Sequence, residues 1–215
     1  LASADPVRGL DLLRATGLLR PVLPAAAALP DDRWKRTVRV VAALARRPFA
    51  LAMAALLHDA ERPAARAAET AARDLKLSNE ERERVVWLVA RLADPPRAAS
   101  MRPSEWKPLL AHPGAPDLLE LHRSIQTADG APLDTHALLT SYLARPDLDP
   151  PRLITGDDLL ALSVPRGPRI GEILQAVREA QLNGEVGTAV EARALVGELI
   201  RGGEPSGGQK PEARS

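Results

Sequence analysis

Apolar positions in this chain recur three and four residues apart, in short runs that stop at Pro or Gly, and that spacing predicts helices almost throughout. The stretch 31–47 is the clearest case. At about 100° per residue, Trp34, Val38, Val41 and Leu44 share one face, while Lys35, Arg36, Arg39, Arg46 and Arg47 crowd an arc of roughly 120° on the other. The basic stripe is either a solvated outer face or a surface for phosphates. Upstream, DPVRGLDLLRATG reads as a capped helix, with Asp5 as N-cap, Pro6 at the first helical position and Gly17 beyond the end. The Pro/Ala-rich text to Pro30 reads as a connector.

Further helices are expected from Pro48 to His58-Asp59, over 63–75, and after Ser78, which forms a capping box with Glu81 ahead of Val85, Val86, Leu88, Val89 and Leu92. Pro95-Pro96 interrupts the pattern, and helices resume near 105–111, 116–128 and 133–144. RPDLDPPR, 145–152, holds too many prolines to be helical and reads as a linker. Three helices are expected beyond it, over 155–162, 168–182 and 188–200; Asn183-Gly184 stops the second, and Thr188 with Glu191 caps the third. The Gly/Pro/Ser-rich end, 202–215, reads as disordered. Residues 31–150 thus form a helical body and 151–201 a small helical tail.

Composition agrees with an all-α fold having no sheet of consequence. Of 215 residues 45% are hydrophobic but only 2% aromatic, so the core must be built from Leu, Ala and Val. The absence of cysteine removes disulfides, zinc thiolates and thiol catalysis, and fits a reducing cytoplasm. Net charge is only +1, so anion binding would depend on where cations cluster. No apolar run approaches the roughly 18 residues of a membrane span. The opening LASADPVRGL has neither an initiator Met nor a signal-peptide pattern, which suggests a piece of a longer chain.

Candidate chemistry centres on ALLHDAERP, where His58 and Asp59 end an apolar run. In an HD metal site such a pair joins an upstream His and a distant Asp around divalent ions. Where W-x-H-T would supply the upstream ligand, this chain has Trp34-Lys35-Arg36-Thr37, and an arginine, always charged and without a lone pair, cannot ligate. Asp129 in TADG is the candidate distant carboxylate. Arg36, His58, Asp59 and Asp129 are therefore read as a degenerate site with no metal, and Asp59 is expected to pair with a nearby cation, Arg36 being the candidate. His112, His122 and His136 lack ligand-type partners and read as surface or helix-contact residues. Asp147-Leu148-Asp149 has the spacing of a two-metal pair but no strand before it, and is taken as chance. No catalytic serine motif, Walker A loop or dinucleotide fingerprint occurs. In PRGPRIG, Gly167 and Pro168 open a helix between Arg166 and Arg169, which makes either a phosphate contact or an ordinary helix entry.

Taken together, DPVRGLDLLRATGLLRPVLP, DDRWKRTVRVVAAL, ALLHDAERP, MRPSEWKPLLAHPGAPDLLELH and above all PRLITGDDLLALSVPRGPRIGEILQAVREAQLNGEV resemble the C-terminal body and tail of the class II tRNA nucleotidyltransferase and bacterial poly(A) polymerase family. The resemblance spans nearly all of residues 1–200 and implies that 1–30 ends a neck of helices. It also implies a cytoplasmic RNA-processing protein whose body and tail hold the acceptor end of a tRNA while an N-terminal head, in cis, adds nucleotides. That head's G-G-x-x-R-D stretch and strand-borne D-x-D are absent here, so no catalytic residue is expected, and Mg and nucleoside triphosphates would belong to the head. Lys35, Arg39, Arg46, Arg166 and Arg169 are the expected RNA phosphate contacts. Two alternatives are an HD-type phosphohydrolase using His58, Asp59 and Asp129, and a non-catalytic helical scaffold.

Overall fold

A computed structural model describes residues 6–60 and 64–202. The expected cap at Asp5, the helix start at Pro63 and the tail beyond Gly202 lie outside these. Every regular element among the described residues is helical: α1 (Pro6–Ala15), α2 (Leu19–Val22), α3 (Pro24–Ala27), α4 (Asp31–Ala43), α5 (Phe49–Leu57), α6 (Ala64–Asp74), α7 (Asn79–Arg91), a 3-10 helix (Pro95–Ser100), α8 (Pro103–Ala111), α9 (Ala115–Asp129), α10 (Asp134–Leu143), α11 (Gly156–Ala161), α12 (Pro168–Asn183) and α13 (Ala189–Gly202). None is long and apolar enough to cross a membrane.

The chain divides into two compact units. One runs to Met101 and resumes over Leu109–Pro146; the other takes Arg102–Pro108 and the chain from Asp147. At the centre of the first lies α5, apolar on every side, with all seven residues from Leu51 to Leu57 buried. It packs on α4, α6, α7 and α9. Burying each such leucine is worth about 1.5–3 kcal/mol before the entropy of ordering it is subtracted. The capping box of Ser78 and Glu81 starts α7 as its sequence requires. Ala68, Ala71 and Ala72 give α6 a small-residue face against α7.

Two elements differ from the sequence expectation. The connector before Pro30 is helical, forming α2 and α3, because Pro24 sits at the first turn, where its missing N–H costs nothing, and Leu19, Leu23, Ala26 and Leu29 find buried positions. Helix α4 stops at Ala43 instead of reaching Arg47: Leu44 is extended, Pro48 bars helical geometry just before itself, and Arg123 Nη2 donates to the Ala43 carbonyl at 2.6 Å. Arg46 and Arg47 therefore do not belong to the basic stripe of that helix.

In the second unit Ile154, Leu159, Val164, Ile173, Val177, Ala192 and Val196 form the core. Thr155 with Asp158 and Thr188 with Glu191 cap α11 and α13 reciprocally. Gly184, at φ 82°, takes the left-handed turn that ends α12, a conformation costly to residues with a side chain. Asp147 and Asp149 are ion-paired within this unit: Asp147 receives Lys107 Nζ at 2.8 Å, and Asp149 receives Arg178, which also donates to the Pro150 carbonyl.

Candidate functional site

Three segments of the first unit bring Arg36, His58, Asp59 and Asp129 together. Helix α4 carries Arg33 and Arg36 one turn apart. Helix α5 ends at Leu57, so His58 and Asp59 leave its C-terminus, and Asp129 is the last residue of α9. Gly130, at φ 66°, closes α9 in the left-handed conformation, and its N–H together with that of Ala131 satisfies carbonyls of the last turn. A carboxylate at the end of a helix lies at the negative pole of the helix dipole, so Asp59 and Asp129 both call for a cation.

Arginines supply it. Arg36 forms a two-pronged contact with Asp129, Nε to Oδ1 at 2.6 Å and Nη2 to Oδ2 at 2.5 Å. Its Nη1 meets His58 Nε2 at 3.0 Å and lies 3.7 Å from Asp59 Oδ2. The closer partner of Asp59 is Arg33, which donates from Nε at 2.9 Å and from Nη2 at 2.5 Å, the latter also reaching the Asp59 carbonyl at 2.5 Å. Asp59 is thus ion-paired, but chiefly through a residue that the sequence reading did not single out. Its position one turn before Arg36, on the same side of α4, was the available signal.

The protonation of His58 follows from its neighbours. Ala55 O, 2.7 Å from Nδ1, can only accept, and the guanidinium on Nε2 can only donate, so the ring is neutral with its proton on Nδ1. Burial is the main cause holding its pKa below the ordinary histidine value, and the Arg36 charge acts in the same direction. Hydrogen bonding from Arg33 and from Arg36 depresses Asp59 and Asp129 respectively below the usual carboxylate range.

These groups do not fit a metal ion. The Nε2 lone pair of His58 and both oxygens of Asp129 are turned onto a guanidinium, which fills the space a divalent ion would need. Among the described residues no group of three histidine or carboxylate side chains is set to hold a metal. The arrangement binds three chain segments together.

The expected phosphate contacts divide into two kinds. Lys35 and Arg39 are exposed on α4, Arg39 making only a long 3.4 Å contact to the Ala128 carbonyl, and Arg166 is exposed in the turn before α12. Arg46 and Arg169 are engaged within their own units. Arg46 Nη2 lies 2.6 Å from the buried carboxylate of Asp117, which Arg84 also approaches at 3.3 Å. Arg169 pairs with Glu172 at 3.0 Å and donates to the Leu199 carbonyl at 2.7 Å, so it joins α12 to α13 while its side chain stays 46% exposed.

The other histidines are helix contacts. His112 stacks on Trp87 with ring centroids 3.8 Å apart, and a Cβ on neighbouring Gly114 would meet that indole at 2.7 Å, which explains the glycine. His122 is buried on α9, and burial lowers its pKa. His136 lies on α10, with Nδ1 buried.

A family model described as tRNA nucleotidyltransferase domain 2 matches residues 50–195. The chain is 30% identical over 239 residues to an A-adding tRNA nucleotidyltransferase of Deinococcus radiodurans, a match covering 91% of this chain and 55% of the relative. It is also 30% identical over 234 residues to a CC-adding tRNA nucleotidyltransferase of Thermus thermophilus, covering 91% and 54%. The chain spans about half the length of the curated relatives it matches. No solved structure matches it significantly.

Proposed function

Because the chain belongs to the tRNA nucleotidyltransferase domain 2 family, we propose that it is the RNA-holding helical region of such an enzyme. In this reading it positions the 3′ end of a tRNA while a separate catalytic head of the longer protein adds nucleotides. The observation that carries it is the outer edge of α4. Arg33 and Arg36 are consumed by internal carboxylates, whereas Lys35 and Arg39, four residues apart on the solvent side, remain available. Two like charges at that spacing repel each other, and a phosphate backbone offsets the cost. Arg166, exposed ahead of α12, is a third cation of the same kind.

The relatives named above support tRNA as the substrate class. The phosphohydrolase alternative would need an ion held by His58, Asp59 and Asp129, groups already bonded to Arg33 and Arg36. The test is a fluorescence-anisotropy titration of tRNA with this chain at several salt concentrations. The K35A/R39A double variant should bind roughly tenfold more weakly at low salt and lose about one unit of salt slope for each contact removed. A double variant that matches the unmodified chain in both affinity and slope would overturn the reading.

A further inference from the structure

The Arg36 cluster has the electrostatics of a cation site, whatever the fate of the RNA-holding reading. Two helix C-termini end at it, and each brings a dipole's negative pole together with a carboxylate, Asp59 after α5 and Asp129 on α9. His58 is held as metal-bound imidazoles are held, with Nδ1–H donating to a backbone carbonyl, that of Ala55, so that Nε2 is aimed inward. On that lone pair sits Arg36 Nη1, at 3.0 Å, and the same guanidinium spans Asp129 and stands 3.7 Å from Asp59. Charges balance: Arg33 and Arg36 offset Asp59 and Asp129. Without Arg36 one carboxylate would be left uncompensated between two helix ends.

We propose that this is a divalent-cation site whose ion has been replaced by a side chain of the chain itself. Arg36 is the resident cation, it ties α4 to the ends of α5 and α9, and Arg36→His admits one divalent ion held by the new imidazole with His58, Asp59 and Asp129. The substitution restores a neutral nitrogen donor on α4 and vacates the volume of the guanidinium, while the second-shell contact of His58 is already in place. Carboxylate and imidazole donors together suit Mn, Ni or Zn.

The test compares thermal unfolding of the unmodified chain, Arg36→His and Arg36→His/Asp129→Asn, each with EDTA or with added Mn(II), Ni(II) or Zn(II), alongside metal content after gel filtration. The unmodified chain should melt at the same temperature in every condition and retain no metal. In EDTA Arg36→His should melt about 5–10 °C lower, recover most of that loss with at least one of the ions, and retain one ion per chain. The double variant should neither recover nor retain metal. An Arg36→His chain that melts like the unmodified one in EDTA, or that gains nothing from any of the three ions, overturns the proposal. Should that variant prove insoluble without metal, refolding from urea with and without Mn(II) decides: soluble protein only with the ion supports the inference, and none in either case overturns it.

Discussion

The contacts that organise the second unit and those that organise the Arg36 cluster differ in their reach along the chain. In the second unit two helix starts, those of α11 and α13, are set by partners three residues apart, Thr155 with Asp158 and Thr188 with Glu191. At the cluster the partners are distant, Arg36 with His58 across 22 residues, Arg33 with Asp59 across 26, and Arg36 with Asp129 across 93. A local cap is nearly complete as soon as its helix forms. The arginine cluster exists only once α4, α5 and α9 have packed, so it reports on the assembled first unit. Removing a cap should loosen one helix end, and removing a cluster arginine should weaken the packing of three segments.

The largest effect should come from Asp129→Asn, which leaves the Arg36 guanidinium without its two-pronged partner. The pair is about one-third exposed, with side-chain exposures of 29% and 34%. Solvent screening therefore reduces the cost from that of a fully buried pair to about 2 kcal/mol, read as a lower urea midpoint at unchanged slope. If Asp129→Asn costs no more than a cap, the contrast between the two regions fails.

Acid should act next, in two stages. His58 has a folded pKa below its ordinary 6.5, so the unfolded chain takes up that proton first. The stability it contributes is complete above pH 6.5 and declines as the pH falls below it. Asp59 and Asp129 are depressed below 3.8, so their contribution is full above that value and is lost as the pH falls from there toward their folded values. Urea midpoints between pH 7 and 3 should show both declines. His58→Gln should flatten part of the first, which the lowered His112 and His122 share, and Asp129→Asn part of the second; identical profiles for all three proteins would contradict the titration assigned to this cluster.

A smaller loss is expected for Thr188→Ala, which removes the hydroxyl that accepts the Glu191 N–H at 3.2 Å. The cost should be about 1 kcal/mol, and amide exchange should quicken at the start of α13 but not in α4 or α9. The smallest effect belongs to K35A/R39A. Among the described residues these exposed side chains meet no carboxylate at hydrogen-bond distance, so stability should change by less than about 0.5 kcal/mol, while the proposed tRNA binding should fall. A large stability loss would assign them to the fold and remove the basis for treating them as a binding edge.

Much of this molecule was legible in its sequence because the relevant physics is local. The apolar period of α4, the capping boxes at Ser78 and Thr188, the Asn183-Gly184 stop and the all-α class each follow from residues within one or two turns of one another. Arg36, His58, Asp59 and Asp129 were also legible as a set, and the structure brings the four together. Tertiary structure decided which cation each acid received. Arg33 took Asp59 and Arg36 took Asp129, because helix α4 presents the two guanidiniums one turn apart toward two different helix ends. Packing also decided that the Pro/Ala connector would be helical and that α4 would stop before Arg46. Buried leucines and a long-range contact from Arg123 override composition there. Periodicity specifies a helix and its faces; it does not carry the distances between helices, and an ion pair that joins two helices depends on those distances.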